Sequence, residues 1–206
     1  MIRALALLLL LPVSALAQGV MGQTYPALHA VTGVASDDQL NVRSAPRAGS
    51  ALVATLAPDA RNIEVIYTDN GWGRINVGEG AGWASMRYLA RQQEDDTPGL
   101  FPPRLACFGT EPFWSLDITP DAAKFATPEG ESLLHIQDRM TSRNTLRDFA
   151  VMAGSTDLFL TATITPARCN DGMSDREFGL HSSAVIRFPD GYQLLSGCCT
   201  LPPSNR

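Results

Sequence analysis

The sequence predicts an all-β protein of two units: a small barrel, then a second, disulfide-closed antiparallel β-barrel or sandwich. Short runs of alternating apolar and polar residues recur along the chain, with turn signals between them. No long helical period occurs. All four cysteines lie in the C-terminal half, where they can close one domain. These three observations favour strands throughout.

The first predicted unit spans residues 28–90. Its alternating runs are 29–34, 40–43, 52–56, 63–67 and 72–77. A period of two with such short spacing is typical of a small β barrel. Eight aliphatic residues of these runs are expected to form one core: Leu40, Val42, Leu52, Leu56, Ile63, Val65, Ile75 and Val77.

The second predicted unit spans residues 105–201. Its alternating runs are 113–118, 133–136, 157–165, 184–188 and 192–195. The last two flank Pro189-Asp190-Gly191, which is a hairpin signal. Between the units, residues 91–104 combine an acidic run with prolines and a glycine, and this composition predicts a linker.

The N-terminus has the pattern of a cleavable signal peptide over residues 1–17. Met1-Ile2-Arg3 precedes an apolar run from Ala4 to Leu11, and Ala15-Leu16-Ala17 offers a cleavage site. The run is shorter than the ~20 residues that span a bilayer. We therefore expect a periplasmic or secreted protein of 206 − 17 = 189 residues with no transmembrane segment in the mature chain. No cysteine follows the cleavage site, which argues against a lipoprotein.

The charge of the chain disfavours two classes of partner. The formal net charge is −5, and removal of Arg3 with the signal peptide makes it −5 − 1 = −6. Nucleic acid requires a basic face on its partner, and so does an anionic membrane surface. We expect neither as a partner.

The cysteines are Cys107, Cys169, Cys198 and Cys199. An even number in an oxidising compartment predicts disulfides. A bridge between the adjacent Cys198 and Cys199 would be strained, so Cys107 and Cys169 should each take one of them. Which takes which stays open. The alternative is a copper or zinc site formed by the reduced thiols.

The first unit carries four short motifs in order. They are residues 40–46, Leu-Asn-Val-Arg-Ser-Ala-Pro, followed by Gly71-Trp72, Gly82-Trp83 and Tyr88-Leu89. Together they resemble the opening motif and the later landmarks of bacterial SH3 (SH3b) domains. The resemblance covers roughly a third of the chain and implies attachment to cell-wall peptidoglycan or a peptide.

Three aromatic residues of this unit are the candidate ligand-binding residues: Tyr67, Trp72 and Trp83. Flat aromatic faces stack on sugar rings and on proline-rich peptides. The alternative is that both tryptophans complete the small core, since tryptophan is usually mostly buried.

The second unit carries three motifs in order: Gly109-x-Glu-Pro-Phe-Trp114, Cys169-x-Asp-Gly-Met-Ser-Asp175 and Gly197-Cys-Cys199. They resemble those of a family of bacterial envelope proteins that has no assigned activity. The resemblance implies an envelope location and a disulfide-closed β domain. Phe113 and Trp114 are expected to plug one end of a barrel. Glu111 is expected to be half-buried and paired with Arg176 or Arg139.

No catalytic residues, cofactor or metal site are predicted. A cysteine peptidase needs a thiolate beside a histidine, and Cys107 with His181 is the one pairing that could be considered. No His-Glu-x-x-His or Gly-x-Ser-x-Gly spacing occurs. We therefore expect a non-enzymatic envelope protein whose first unit recognises a cell-wall or peptide ligand. One alternative is an accessory protein whose barrel binds a small ligand or a partner protein; a weaker one is a cell-wall hydrolase.

Overall fold

The computed structural model describes residues 26–92, 101–145 and 147–201. Within these residues the protein is all-β, with sixteen strands and one short 3-10 helix at Met86–Tyr88, which confirms the predicted fold class. The predicted signal peptide and cleavage site lie outside the described residues. No helix in the described ranges is long and apolar enough to cross a membrane.

The first unit is built from eight strands in two small antiparallel sheets. A five-stranded sheet has the order β3-β2-β7-β6-β5, and a three-stranded sheet has the order β4-β1-β8. The strands are β1 (Ala27–Val31), β2 (Leu40–Arg43), β3 (Leu52–Leu56), β4 (Ile63–Val65), β5 (Tyr67–Asp69), β6 (Trp72–Val77), β7 (Gly80–Ser85) and β8 (Leu89–Arg91). Asn70 and Gly71 form the β5–β6 turn, with φ of 46° and 80°. Such positive φ values suit a tight hairpin.

The predicted core of this unit is correct except at one position. Leu40, Val42, Val65 and Ile75 are buried, and Leu56, Ile63 and Val77 pack against them. Leu52 is wrong, because 56% of its surface is exposed. The β2–β3 register shifts between Val42 and Arg43, so strict alternation does not hold there.

The second unit is a closed eight-stranded barrel with the order β10-β11-β12-β13-β14-β15-β16-β9. Each strand pairs antiparallel with the next along the chain, and β9 closes the barrel by pairing with β16 as well as β10. The strands are β9 (Leu105–Thr110), β10 (Phe113–Ile118), β11 (Ala122–Thr127), β12 (Gly130–Thr141), β13 (Phe149–Gly154), β14 (Phe159–Cys169), β15 (Phe178–Phe188) and β16 (Gly191–Thr200). The unit is therefore a barrel and not a sandwich.

Apolar side chains from all eight strands fill the barrel. The largest include Leu116, Phe125, Leu160 and Ile186, each no more than 3% exposed. Trp114 is buried at 4% exposure, as predicted for a plug.

The predictions for two neighbours of Trp114 are wrong. Phe113 is 55% exposed, because alternation along β10 turns it outward when Trp114 points inward. Glu111 is also exposed. Its two expected partners are engaged elsewhere: Arg139 donates to the carbonyl oxygens of Thr119 and Pro120, and Arg176 stacks over Phe178.

Both disulfides lie within the barrel. Cys107 is bonded to Cys199, and Cys169 is bonded to Cys198, which confirms that each member of the adjacent pair has a separate partner. Cys107 and Cys199 face each other across β9 and β16, so this bond links the first and last strands at the point of closure.

The predicted linker begins and ends on residues that belong to the two units. Gln92 accepts a hydrogen bond from the backbone N–H of Asn62. Phe101 packs edge-on against Phe149 of the barrel. Residues 93–100 between them lie outside the described part of the chain.

Candidate functional site

The three predicted aromatic residues lie on one face of the five-stranded sheet. Along β6, Trp72 and Arg74 alternate with the buried Gly73 and Ile75. Arg74 pairs with Trp83 of β7 on one side and with Tyr67 of β5 on the other. Because paired residues in a sheet share a face, Tyr67, Trp72 and Trp83 all point away from the core. The tryptophans therefore do not complete the core of the first unit.

Arg74 lies at the centre of this outer face. Its guanidinium stacks over the Trp83 ring at 5.4 Å, measured to the ring centroid. The Tyr67 and Trp83 rings pack edge to face with centroids 5.6 Å apart. Trp72 lies further along β6, opposite Ser85 and Asp69, and is half-buried.

Glu177 of the barrel covers the centre of the outer face. Arg74 donates from Nε to Glu177 Oε1 at 2.9 Å and from Nη2 to the same oxygen at 2.5 Å. Tyr67 donates its hydroxyl to Glu177 Oε2 at 3.0 Å. Both carboxylate oxygens are therefore bound by the first unit, and charge-assisted bonds of this kind are among the stronger ones in proteins.

The backbone around Glu177 is bound as well. The Asn76 side-chain amide donates to the Glu177 carbonyl oxygen at 2.8 Å and accepts from the Glu177 N–H at 3.0 Å. Two residues earlier, the Asp175 N–H donates to the Glu79 carbonyl oxygen at 3.0 Å. The segment Asp175–Glu177 thus contacts β6 and the β6–β7 turn as a short peptide would.

A second side chain of the barrel covers Tyr67. The Arg168 guanidinium lies 4.2 Å from the Tyr67 ring centroid. Burial and the hydrogen bond to Glu177 raise the pKa of Tyr67, so its hydroxyl stays a donor at neutral pH. Of the three predicted ligand-binding residues, Tyr67 therefore belongs to a contact zone between the units, and Trp83 packs behind this zone on Arg74 and Tyr67.

The loop that presents Glu177 is held in shape by its own side chains. Asp171 accepts from the N–H groups of Met173 and Ser174 and from the Ser174 hydroxyl. Burial opposes ionisation of Asp171, but these hydrogen bonds outweigh it and lower its pKa. The Cys169–Cys198 bond anchors the start of the loop. The Cys-x-Asp-Gly-Met-Ser-Asp motif is thus a fixed support for Asp175–Glu177.

The motifs Gly109–Trp114 and Gly197–Cys199 meet at the end of the barrel that carries this loop. A Cβ added at Gly109 would lie 2.1 Å from Trp114 Nε1, and one at Gly197 would lie 2.0 Å from the Phe108 carbonyl oxygen. Only glycine fits at such close approaches. Thr110 donates its hydroxyl to the Asp171 carbonyl oxygen at 2.9 Å. The three motifs form one packed end of the barrel, from which the loop projects.

Glu64 makes a second contact between the units. It accepts hydrogen bonds from the Thr200 hydroxyl and, at 3.2 Å, from the Leu201 N–H. Burial of the carboxyl group raises the pKa of Glu64 to about 7, although both hydrogen bonds and the charge of Arg176 act to lower it.

The cysteines cannot supply the chemistry of a thiol peptidase in this structure. Cys107 is disulfide-bonded, so the considered pair with His181 lacks a thiolate. Across the described ranges, no group of three or more histidine, cysteine or acidic residues is placed to hold a metal ion.

The first unit matches a known family. The family model of the bacterial SH3 domain matches residues 38–90. Strand β1 lies before the matched residues but pairs with β4 and β8. The name SH3 module is therefore used below for the whole first unit, β1 to β8. The match ends before the barrel, so the resemblance of residues 105–201 to an envelope-protein family stays a prediction. No curated protein and no solved structure matches the chain significantly.

Four residues of the contact zone were not predicted from the sequence: Arg74, Asn76, Glu177 and Glu64. Arg74 and Asn76 could have been found, because they alternate with the core residues of β6 and so share a face with Trp72. Glu177 follows an irregular loop, and no local pattern marks it.

Proposed function

We propose that this protein is an exported, non-enzymatic binding protein of the bacterial envelope, and that its SH3 module recognises a cell-wall or peptide ligand. One observation supports this most strongly: Tyr67, Trp72 and Trp83 project from the outer face of the SH3 sheet, opposite the core. Glu177 and Arg168 cover Tyr67, whereas the half-buried Trp72 lies beside the covered part of this face, so its ring is available for stacking on a ligand.

Export rests on the sequence of residues 1–17 together with the disulfides. Two disulfides in a protein of this size fit an oxidising compartment. N-terminal sequencing of the protein recovered from cells should give a start at or near Gln18. A soluble cytoplasmic species that retains Met1 would contradict export.

Sedimentation with purified cell wall tests the recognition role. The full chain should sediment with wall fragments, and Trp72→Ala should weaken binding roughly 2- to 10-fold, the range expected for loss of one stacking contact. Tyr192→Ala is the matched control, because Tyr192 is 75% exposed but lies on the barrel. Equal binding by the Trp72 variant would argue against the aromatic face, and absence of wall binding by the unmodified chain would argue against a wall ligand.

The same wall preparation tests the absence of enzymatic activity. Incubation with the purified protein should release no soluble wall fragments above the level of a buffer control. Release that depends on the protein would favour the hydrolase alternative.

A second candidate is an accessory protein whose barrel binds a partner protein. A partner protein is favoured over a small ligand because apolar side chains fill the interior of the barrel. On its outer surface, Val185 and Leu194 form an exposed apolar cross-strand pair. A photo-crosslinking residue at position 194 should then give a specific adduct in cells, and one at the exposed Thr163 should not. Equal labelling from both positions would remove this candidate.

A further inference from the structure

We propose that the outer face of the SH3 module is an acidic-peptide site that this chain occupies with its own segment, Asp175–Glu177. An external peptide ligand must therefore offer a carboxylate and displace that segment. This inference rests on the proposed recognition function and specifies its ligand class and its regulation.

The contacts of Glu177 are of two kinds, and together they describe a peptide. Arg74 and Tyr67 bind the carboxylate, which selects an acidic side chain or a free C-terminus. Asn76 binds both the N–H and the carbonyl oxygen of one residue, which only a peptide backbone offers in that arrangement. A sugar hydroxyl could replace some of these bonds but would leave the cation at Arg74 without its anion.

The ion pair between Arg74 of the SH3 module and Glu177 of the barrel is partly exposed to water. The Arg74 and Glu177 side chains keep 16% and 30% of their surface exposed, so water reaches the pair. The contacts of Glu177 and Glu64 across the units are polar, while Gly179 also lies close to Pro26. Contacts between domains permit relative motion unless they are large and hydrophobic.

Because the Cys169–Cys198 bond and the Asp171 hydrogen bonds hold the loop in shape, opening requires the two units to move apart, which also breaks the Glu64 contacts with Thr200 and Leu201. Such a movement would uncover Arg74, Tyr67 and Asn76 without disturbing the buried SH3 core.

Because the segment Asp175–Glu177 belongs to the same chain as the SH3 module, it competes strongly with an external peptide for the site. A segment joined to its site by a short connection acts at an effective concentration of the order of millimolar. Only molecules whose site is not occupied by Asp175–Glu177 can bind an external peptide. The observed affinity therefore falls in proportion to the fraction of molecules with a free site. Removal of Glu177 should therefore increase binding of an external acidic peptide.

The face extends beyond the occupied part. Trp72 lies two residues before Arg74 in β6, which places it about 7 Å further along the strand. A peptide longer than the internal segment could use Trp72 in addition to the Glu177 site. Such a contact would explain why Trp72 is the outward-facing residue of β6 next to Arg74, where Glu177 is bound.

The test uses the full chain and a synthetic peptide of its own residues 173–179, Met-Ser-Asp-Arg-Glu-Phe-Gly. Calorimetric titration should show at least tenfold tighter binding to the Glu177→Ala chain than to the unmodified chain. The same peptide with Glu177→Gln should bind the Glu177→Ala chain about tenfold more weakly or worse, because charge-assisted bonds are lost. Adding Arg74→Gln to Glu177→Ala should abolish the preference for the acidic peptide, while Asn76→Ala should weaken both peptides alike.

Two results would overturn the inference: equal affinity of the acidic and neutral peptides, or no binding of either to a Glu177→Ala chain that is folded by circular dichroism. Wall sedimentation of the same samples separates the two proposals. If the unmodified chain sediments but the peptide does not bind, only this inference fails. If the peptide binds as expected but no chain sediments, the inference holds for peptides and the wall ligand fails.

Discussion

The disulfide between β9 and β16 should contribute more stability than the second disulfide. Cys107 and Cys199 are 92 residues apart in sequence, whereas Cys169 and Cys198 are 29 apart. Constraint of the unfolded chain grows with loop length, and these separations correspond to about 4.6 and about 3.6 kcal/mol. Cys107 and Cys199 are both almost fully buried, whereas in the second pair only Cys198 is, so truncation adds a larger packing loss at the first pair. Replacing both members by alanine avoids a free thiol in each variant.

Urea unfolding of the two double variants measures the difference. Cys107→Ala with Cys199→Ala should cost at least ~1 kcal/mol more than Cys169→Ala with Cys198→Ala. The Trp114 indole resonance reports the barrel, because Trp72 and Trp83 lie in the SH3 module. The SH3 module contains no cysteine, so its transition should move less than that of the barrel in both variants. An equal or larger loss from the Cys169–Cys198 pair would refute the argument that the longer loop makes the Cys107–Cys199 bond the more stabilising one.

Three further predictions follow from named contacts. Gly197→Ala should destabilise the barrel by about 1–3 kcal/mol in thermal unfolding, because the new Cβ meets backbone at Phe108; Gly49→Ala, where a Cβ meets nothing within 4 Å, should be neutral, and equal effects would contradict the packing described. Burial raises the pKa of Glu64 from 4.5 to about 7 in the folded protein. The free energy of unfolding therefore falls by up to ~3 kcal/mol as pH rises from 4.5 through 7. Glu64→Gln should therefore melt at an increasingly higher temperature than the unmodified chain between pH 5 and pH 8, and a constant difference would refute this. Limited proteolysis should cut first within residues 91–104, because their acidic and proline-rich composition predicts a linker; earlier cleavage inside either β unit would argue against two units.

The strands that the sequence predicts well are those with strong alternation between clear turns. β6 and β10 begin and end at the predicted residues, 72–77 and 113–118. In the first unit β7 and β8 were not predicted, and in the barrel β9, β11 and β13 were not. Alanine and glycine dilute the apolar pattern in β9 and β11, and β13, Phe-Ala-Val-Met-Ala-Gly, is apolar on both faces. Leu52 shows the same limit at one position, since a register shift in a sheet leaves no mark in the hydrophobic pattern.

The candidate site divides in a similar way. Tyr67, Trp72 and Trp83 were found because local motifs and aromatic chemistry point to them. Glu111 was predicted to be a half-buried carboxylate paired within the second unit, but it is exposed, and the unpredicted Glu177 is the carboxylate that the SH3 module binds. Glu177 and Arg74 are 103 residues apart in the chain, and their contact depends on how two folded units meet. Local sequence patterns contain no information about that geometry.

The indole N–H resonances of the three tryptophans test the ligand face most directly. Trp72 and Trp83 lie on the outer face of the SH3 module, and Trp114 is buried in the barrel as an internal reference. On titration of the Glu177→Ala chain with the acidic peptide of residues 173–179, the Trp72 and Trp83 signals should shift together and the Trp114 signal should stay fixed. A shift of Trp114 alone, or no shift of any indole at saturating peptide, would contradict a ligand face on the SH3 sheet.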